Sequence, residues 1–256
     1  MAPRLSATYD VIGMGYARFR RADRRIASRI HRALGGASTV VNVGAGAGSH
    51  EPADRLVVAV EPSAEMIGQR SRTAASALHA TAEALPFADR TFEAAMALLT
   101  VHHWSDPMAG LAEMRRVTAG PIVVFTFEHE VHSEQWIVTD FLPSMAELDT
   151  GMPSPAMIAD ALGGGFVQVL PVPHDCTDGF CHAWWRRPEA YLAPAVRASI
   201  SGIARLPTRV VEDAMARLAD DLATGAWHQA HSAPFEVGEI DAGYRLVVAT
   251  PTGAGV

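Results

Sequence analysis

The chain has 256 residues, 49% of them hydrophobic, and a formal net charge of −7 at neutral pH. That length suits one α/β domain with a sizeable core and leaves little for a second. The acidic balance disfavours nucleic acid as a partner, no run reaches the roughly 18 apolar residues of a membrane span, and residues 1–6 hold no apolar signal core.

Residues 9–34 read as one or two helices. Arg18, Arg20, Arg21, Arg24, Arg25, Arg29 and Arg32 crowd this stretch, with Ile26, Ile30 and Leu34 on the inward face. The arginines are read as a solvated face rather than a polyanion site. All 21 basic residues are arginine, which looks like the coding bias of a high-GC bacterial genome. Thr39–Val43 is a β-branched run that stops at glycine, hence a buried strand. Leu56–Val60 is a second, ending at Glu61-Pro62, and Ser63 caps a helix over 64–70. A short third strand is expected at 79–82, a turn at 85–90 and a fourth strand at 92–99. Pro107–Val117 has helical spacing in Met108, Leu111, Met114 and Val117, and Ile122–Phe127 is a strand. Beyond it, residues 134–162 look helical but broken by Pro143, Pro153 and Pro155. Then follow a strand at 167–172, helices over 188–230 and a last strand, Tyr244–Ala249. Strands alternating with helices imply right-handed crossovers and a mainly parallel sheet.

The first strand runs into Gly44-Ala45-Gly46-Ala47-Gly48. Such glycines let the chain turn sharply and let a ligand lie against the backbone, and a strand tip in this kind of sheet is where ligands bind. Glu61, at the end of the next strand, can accept hydrogen bonds from both hydroxyls of a ribose. A dinucleotide site wants G-x-G-x-x-G opening a helix. Here Ser49 stands at the third glycine position, and the seven-residue link 49–55 with Pro52 has little room for a helix. Glu51 and Asp54 would also repel a pyrophosphate. A ligand with no phosphate at that place fits better, such as S-adenosylmethionine.

The chain resembles the class I S-adenosylmethionine-dependent methyltransferases, especially the group that includes the ubiquinone- and menaquinone-biosynthesis enzymes. The resemblance covers about residues 38–127. It rests on VVNVGAGAG (40–48), VVAVEPSAEMI (57–67), AEALPFADRTFEAAMALLTVHHW (82–104) and LAEMRRV (111–117) in that order. It implies a Rossmann-like seven-stranded, mainly parallel sheet with the last strand antiparallel. It also implies S-adenosylmethionine as cofactor. Gly44, Ala45 and Gly46 would pass under the methionine tail and ribose, Glu61 would hold the ribose, and Pro62 would pack beside the adenine. Ala82 would give the adenine its backbone N–H, and Ala97 and Leu98 would line the sulfonium. An N-terminal lid would bring Tyr16 and Arg20 over the cofactor, with Arg20 pairing with the methionine carboxylate. The chain departs from the family at three places. Asn42 replaces an acid. Thr81 stands where the family often has Asp, so that Thr81 or Glu83 would serve the adenine amino group. The helix after the glycine loop is reduced to a turn.

Methyl transfer is an in-line displacement that needs alignment and often a base. His103 after the fourth strand is the first candidate base, followed by Glu128 and His129 after the fifth. The segment 174–182 gathers His174, Cys176, Asp178, Cys181 and His182. A zinc site of His174, Cys176, Cys181 and His182 is set aside, because C-x4-C is a long spacing and no second ligand pair lies apart from the first. A loop near the acceptor is preferred, with His174 and Asp178 touching it, and no metal is expected. Trp136, Trp184 and Trp185 suit a plain core, or an acceptor with an apolar or aromatic part. The expected division is a lid at 1–36, a cofactor core at 37–130 and an acceptor half at 131–256, within one domain. The expected partner is a small-molecule acceptor, without nucleic acid or membrane, in a cytoplasmic monomer or homodimer; two cysteines in a chain this long fit a reducing compartment. The competing reading is an S-adenosylmethionine-binding protein without transfer, either a partner-binding module or a cyclase or isomerase on the same fold.

Overall fold

The computed structural model describes residues 19–232 and 236–250. Helix α1 (Arg24–Ala33) opens at Asp23, whose carboxylate accepts from the Arg25 backbone N–H and caps the helix. Its Ile26 and Ile30, with Leu34 beyond, are fully buried against the sheet. This satisfies the periodicity read from the sequence.

Strands β1 (Thr39–Val43), β2 (Leu56–Val60), β3 (Ala77–Leu78), β4 (Ala94–Leu98), β5 (Ile122–Phe127), β6 (Phe166–Val169) and β9 (Tyr244–Ala249) form one sheet. Their order is β3-β2-β1-β4-β5-β9-β6. The pairs from β3 to β5 are parallel, while β9 runs antiparallel to both β5 and β6. A parallel sheet is covered on both faces, so its strands are apolar throughout rather than alternating. Val40, Ala94, Met96, Val123 and Phe125 pack on the α1 side. Val41, Val43, Ala95, Ala97 and Val124 pack on the other, against Leu111, Met114 and Val117 of α3 (Pro107–Val117). Each such side chain taken out of water contributes about 1.5–3 kcal/mol.

The remaining helices are α2 (Ala64–Gly68), α4 (His129–Ser133), α5 (Pro155–Ala161), α6 (Pro194–Ala198), α7 (Ser201–Ala204), α8 (Thr208–Thr224) and α9 (Ala226–Ala230). A third apolar cluster lies in the C-terminal half. There Val211, Ala214, Met215 and Leu218 of α8 meet Ile137, Phe141, Tyr191 and Trp227. Strands β7 (Val172–Pro173) and β8 (Glu239–Ile240) make a separate antiparallel pair.

Several element boundaries differ from the sequence reading. Of the stretch 9–34 expected to be helical, the described residues 19–23 are not, and the helix starts at Arg24. The third strand lies at 77–78, not 79–82, because only Ala77 and Leu78 reach the edge of β2. The strand expected over 167–172 is two, since Leu170 turns inward and the chain changes sheets. The expected helix over 134–162 is a π turn at Ile137–Phe141, a 3-10 turn at Pro143–Glu147 and then α5; Pro143 and Pro155 each start a new segment. No helix among the described residues is long and apolar enough to cross a membrane.

Candidate active site

Two cavities sit at the C-terminal ends of the parallel strands, and Leu99 and Arg20 line both. The first has a volume of about 220 Å³. Its floor is the glycine loop. Gly44 and Gly46 have φ of +68° and +50°, a region that favours glycine. A Cβ on Gly44 would overlap the Thr100 side chain. The loop is anchored by Gly44 N–H and Ala45 N–H, which donate to the Val60 carbonyl at 2.8 and 3.0 Å.

Residues 44–55 form turns and no helix, as the short connection requires. A buried side-chain strut fixes the loop instead. Asn42 Nδ2 donates to Glu51 Oε1 at 3.0 Å, Arg70 pairs with Glu51 at 2.6 Å, and Arg70 Nη1 donates to the Gly46 carbonyl at 2.8 Å. The repulsion of phosphate expected from Glu51 is therefore absent, because Arg70 neutralises it. Asn42 Oδ1 is buried and finds no hydrogen-bond partner among the described residues.

Glu61 is buried at the tip of β2. Its Oε2 accepts from Gly46 N–H at 2.8 Å and its Oε1 from Ser63 N–H at 2.8 Å. The carboxylate thus ties the glycine loop to the cap of α2. Pro62, Thr81, Ala82, Glu83, Leu98 and His103 are also part of the lining. Glu83 is engaged in structure: its Oε1 accepts from the Ser105 N–H and hydroxyl, both at 2.9 Å. Burial would raise the Glu83 carboxyl, but these and neighbouring hydrogen bonds hold it below its ordinary value.

Of the cofactor residues named from the sequence, Arg20, Gly44, Ala45, Gly46, Glu61, Pro62, Ala82, Glu83 and Leu98 line this cavity. Ala97 does not; it is packed beneath the tip of β4, in the core. Tyr16 lies outside the described residues. Arg20 Nε donates to Asp178 Oδ1 at 2.6 Å, and His50 Nε2 meets Asp178 Oδ2 at 2.9 Å. Asp178 is completely buried by these partners. This triad was not foreseen, since Asp178 is 158 residues from Arg20.

The second cavity is lined by Phe127, Met145, Leu148, Phe180, Ile200 and Tyr244, and by His102, His129 and His132. Leu99, at the boundary, has φ +52°, a strained conformation for a branched side chain. The candidate bases part company here. His103 lines the first cavity. Burial, then the neighbouring His102, pushes its imidazole well below the ordinary value. Burial also pushes His102 down to about 3. His129 lines the second cavity, with Nε2 on the Leu148 carbonyl at 3.0 Å. Glu128 lines neither cavity; Arg245 Nε stands 4.0 Å from its carboxylate. His174 is likewise outside both, half-buried and bonded to the Gly238 carbonyl. Glu128 falls outside because the first turn of α4 leaves the cavity to His129 and His132. His174 falls outside because the β7–β8 pair carries it away from the sheet tips.

The residues present fit S-adenosylmethionine: a buried carboxylate for a ribose, bare backbone at Gly44–Gly46, an orphaned acceptor at Asn42, and apolar Pro62, Met66 and Leu98. Residues 41–120 match a family model described as a methyltransferase domain. A demethylmenaquinone methyltransferase of Renibacterium salmoninarum is 34% identical over 167 residues, 60% of this chain and 69% of that protein. The chain is a member of the class I S-adenosylmethionine-dependent methyltransferases. A crystal structure from Anabaena variabilis, described as that of a methyltransferase ascribed to an antibiotic biosynthesis pathway, agrees. It superposes with a TM-score of 0.83 at 30% identity, over 90% of this chain and 98% of that one. The [4+2]-cyclase SpnF shares the fold, with a TM-score of 0.53 at 15% identity over 96% and 95% of the two chains. At that identity the likeness speaks for architecture alone. As a member of this family the chain uses S-adenosylmethionine for methyl transfer.

Proposed function

We propose that this methyltransferase acts on a small molecule with an apolar or aromatic part, held in the second cavity. The observation that carries the reading is the meeting of two unlike cavities at Leu99. One is built of backbone and a buried carboxylate; the other is walled by Phe127, Met145, Leu148, Phe180 and Tyr244.

In this reading Gly44, Ala45 and Gly46 lie under the methionine tail and ribose, and Glu61 accepts from the ribose hydroxyls. Pro62 and Ala82 hold the adenine, and Thr81 serves its amino group in place of Glu83. Asn42 Oδ1 accepts from the amino group of the methionine tail. Arg20, held by Asp178, takes the methionine carboxylate; a guanidinium serves two carboxylates through its five donors. Leu98 lines the sulfonium, backed by Ala97. The lid is read as residues 1–36, of which α1 is anchored on the sheet by Ile26, Ile30 and Leu34. Residues 37–130 make the cofactor core, and 131–256 the acceptor half.

Bound S-adenosylmethionine supplies an electrophilic methyl group on a sulfonium. The protein's part is to align the acceptor with it and to exclude water from between. His103, which lines the cofactor cavity with its ring against His102 of the second cavity, takes the acceptor's proton where the two cavities meet. Its depressed pKa keeps it neutral, with a lone pair, at pH 7. The test is incubation of the purified protein with S-adenosylmethionine and a panel of small apolar hydroxyl, amine and thiol compounds. The readouts are S-adenosylhomocysteine release and a mass gain of one methylene on the acceptor. Transfer to a protein or nucleic acid, and to none of the small molecules, would reject this reading.

A further inference from the structure

One side of the second cavity gathers soft ligands from two distant segments. His132 lies on α4, while Cys181 and His182 open a 3-10 turn, Cys181–Trp184. Ligand atoms of these three residues all lie within 4.8 Å of one another. The turn is held by hydroxyls from two elements. Tyr191 Oη donates to the Cys181 carbonyl at 2.6 Å, and the His182 backbone N–H donates to Tyr244 Oη at 3.3 Å.

His182 carries the decisive detail. Its Nε2 sits 3.0 Å from the His132 carbonyl oxygen, which can only accept, so Nε2 bears the proton. Nδ1 is therefore the lone-pair nitrogen. It is buried in a residue only 1% exposed and has no hydrogen-bond partner among the described residues. A backbone carbonyl that fixes the far nitrogen of an imidazole is a common support for a metal-bound histidine. Two imidazoles and one thiol, with no carboxylate, match zinc and related borderline-soft divalent ions rather than magnesium or calcium. This is not the set His174, Cys176, Cys181 and His182 weighed from the sequence. His174 is on the Gly238 carbonyl, and the Cys176 thiol faces the Asp178 carbonyl at 3.7 Å.

We propose that His132, Cys181 and His182 form a three-ligand zinc site whose fourth position opens into the second cavity. His132 and Cys181 both line that cavity. Three protein ligands with an open position characterise reactive rather than structural zinc sites. The ion displaces the Cys181 thiol proton to solvent, one proton for each ion bound. At the open position it holds a thiol sulfur or a hydroxyl oxygen of the acceptor and lowers the pKa of that group. That role, though not the binding, rests on the reading of this cavity as the acceptor's.

The test uses the whole chain, stripped of metal and titrated with Co²⁺, with Zn²⁺ affinity measured by chelator competition. We expect one ion per chain, a thiolate-to-cobalt charge-transfer band, and release of one proton. Cys181→Ala should abolish the band. His132→Ala should weaken Zn²⁺ binding beyond the ~10–100-fold that a supporting-residue change costs. Cys176→Ala should leave band and affinity unchanged. S-adenosylmethionine titration of each variant checks folding and separates the two readings. Its loss with zinc retained would count against the cofactor pocket only. Zinc binding no tighter in the wild type than in Cys181→Ala, with the cofactor still bound, would overturn the metal site.

Discussion

Replacing Glu61 with alanine removes the one carboxylate at the tip of β2. Two effects follow, and they separate experimentally. The first is on the cofactor: two ribose hydroxyls lose a charged acceptor. Hydrogen bonds to charged groups contribute about 1.5–3 kcal/mol each, and water entering the vacated space returns part of this. A net loss of about 3 kcal/mol means a Kd about 100-fold weaker. The second effect is on the protein. Gly46 N–H and Ser63 N–H, each 2.8 Å from a Glu61 oxygen, lose their acceptor. Only the Ser63 donor is fully buried, so destabilisation of about 2 kcal/mol is expected, lowering Tm by about 4–8 °C. Titration calorimetry with S-adenosylhomocysteine, well below the transition, reads the first effect; thermal unfolding without ligand reads the second. Glu61→Gln keeps one acceptor oxygen and should fall between, about tenfold weaker. A Glu61→Ala variant that binds within about threefold of the wild type would refute the ribose assignment, whatever its Tm.

Other outcomes follow from the same geometry. Gly44→Ala should cost about 2–4 kcal/mol in chemical unfolding, because φ of +68° disfavours a Cβ and Thr100 occupies its place; a change under about 0.5 kcal/mol would contradict this. Asp178→Asn leaves Arg20 without its buried counter-charge and should cost about 3–5 kcal/mol. Burial alone would raise the Asp178 carboxyl, but the Arg20 guanidinium and His50 hold it below its ordinary value. Its folded pKa thus lies below the unfolded value of about 3.9. The stabilisation is full above that pH and is lost as pH falls through the folded pKa. Urea titrations between pH 6 and about pH 3 should show this acid limb in the wild type and a shallower one in Asp178→Asn. His103→Ala should lower kcat on an identified acceptor by about 10²–10⁴ with cofactor affinity retained. Because burial depresses His103, the wild-type kcat profile should show no inflection near pH 6.5.

The cofactor half was legible because its signals are local. TVVNV and LVVAV are β-branched runs that stop where the chain must turn, and the structure places β1 and β2 where those runs lie. The glycine loop and Glu61 sit at their ends, so sequence order alone brings them together. The two-residue β3 left no such mark: Ala77 and Leu78 pair with β2 along one edge only. The contacts of the C-terminal half were illegible for another reason. Arg20 finds Asp178, and His132 finds Cys181 and His182, across gaps that no periodicity spans. Glu128 and His129 are neighbours in the chain, yet one turn of helix puts His129 in the second cavity and leaves Glu128 outside it.

The loop at 44–48 and Glu61 stand at the centre of the account, and a direct ligand titration tests them. Purified protein should bind S-adenosylmethionine at one equivalent per chain and give no heat with NAD under the same conditions. Binding of NAD in preference to S-adenosylmethionine, or of neither by a folded protein, would contradict it.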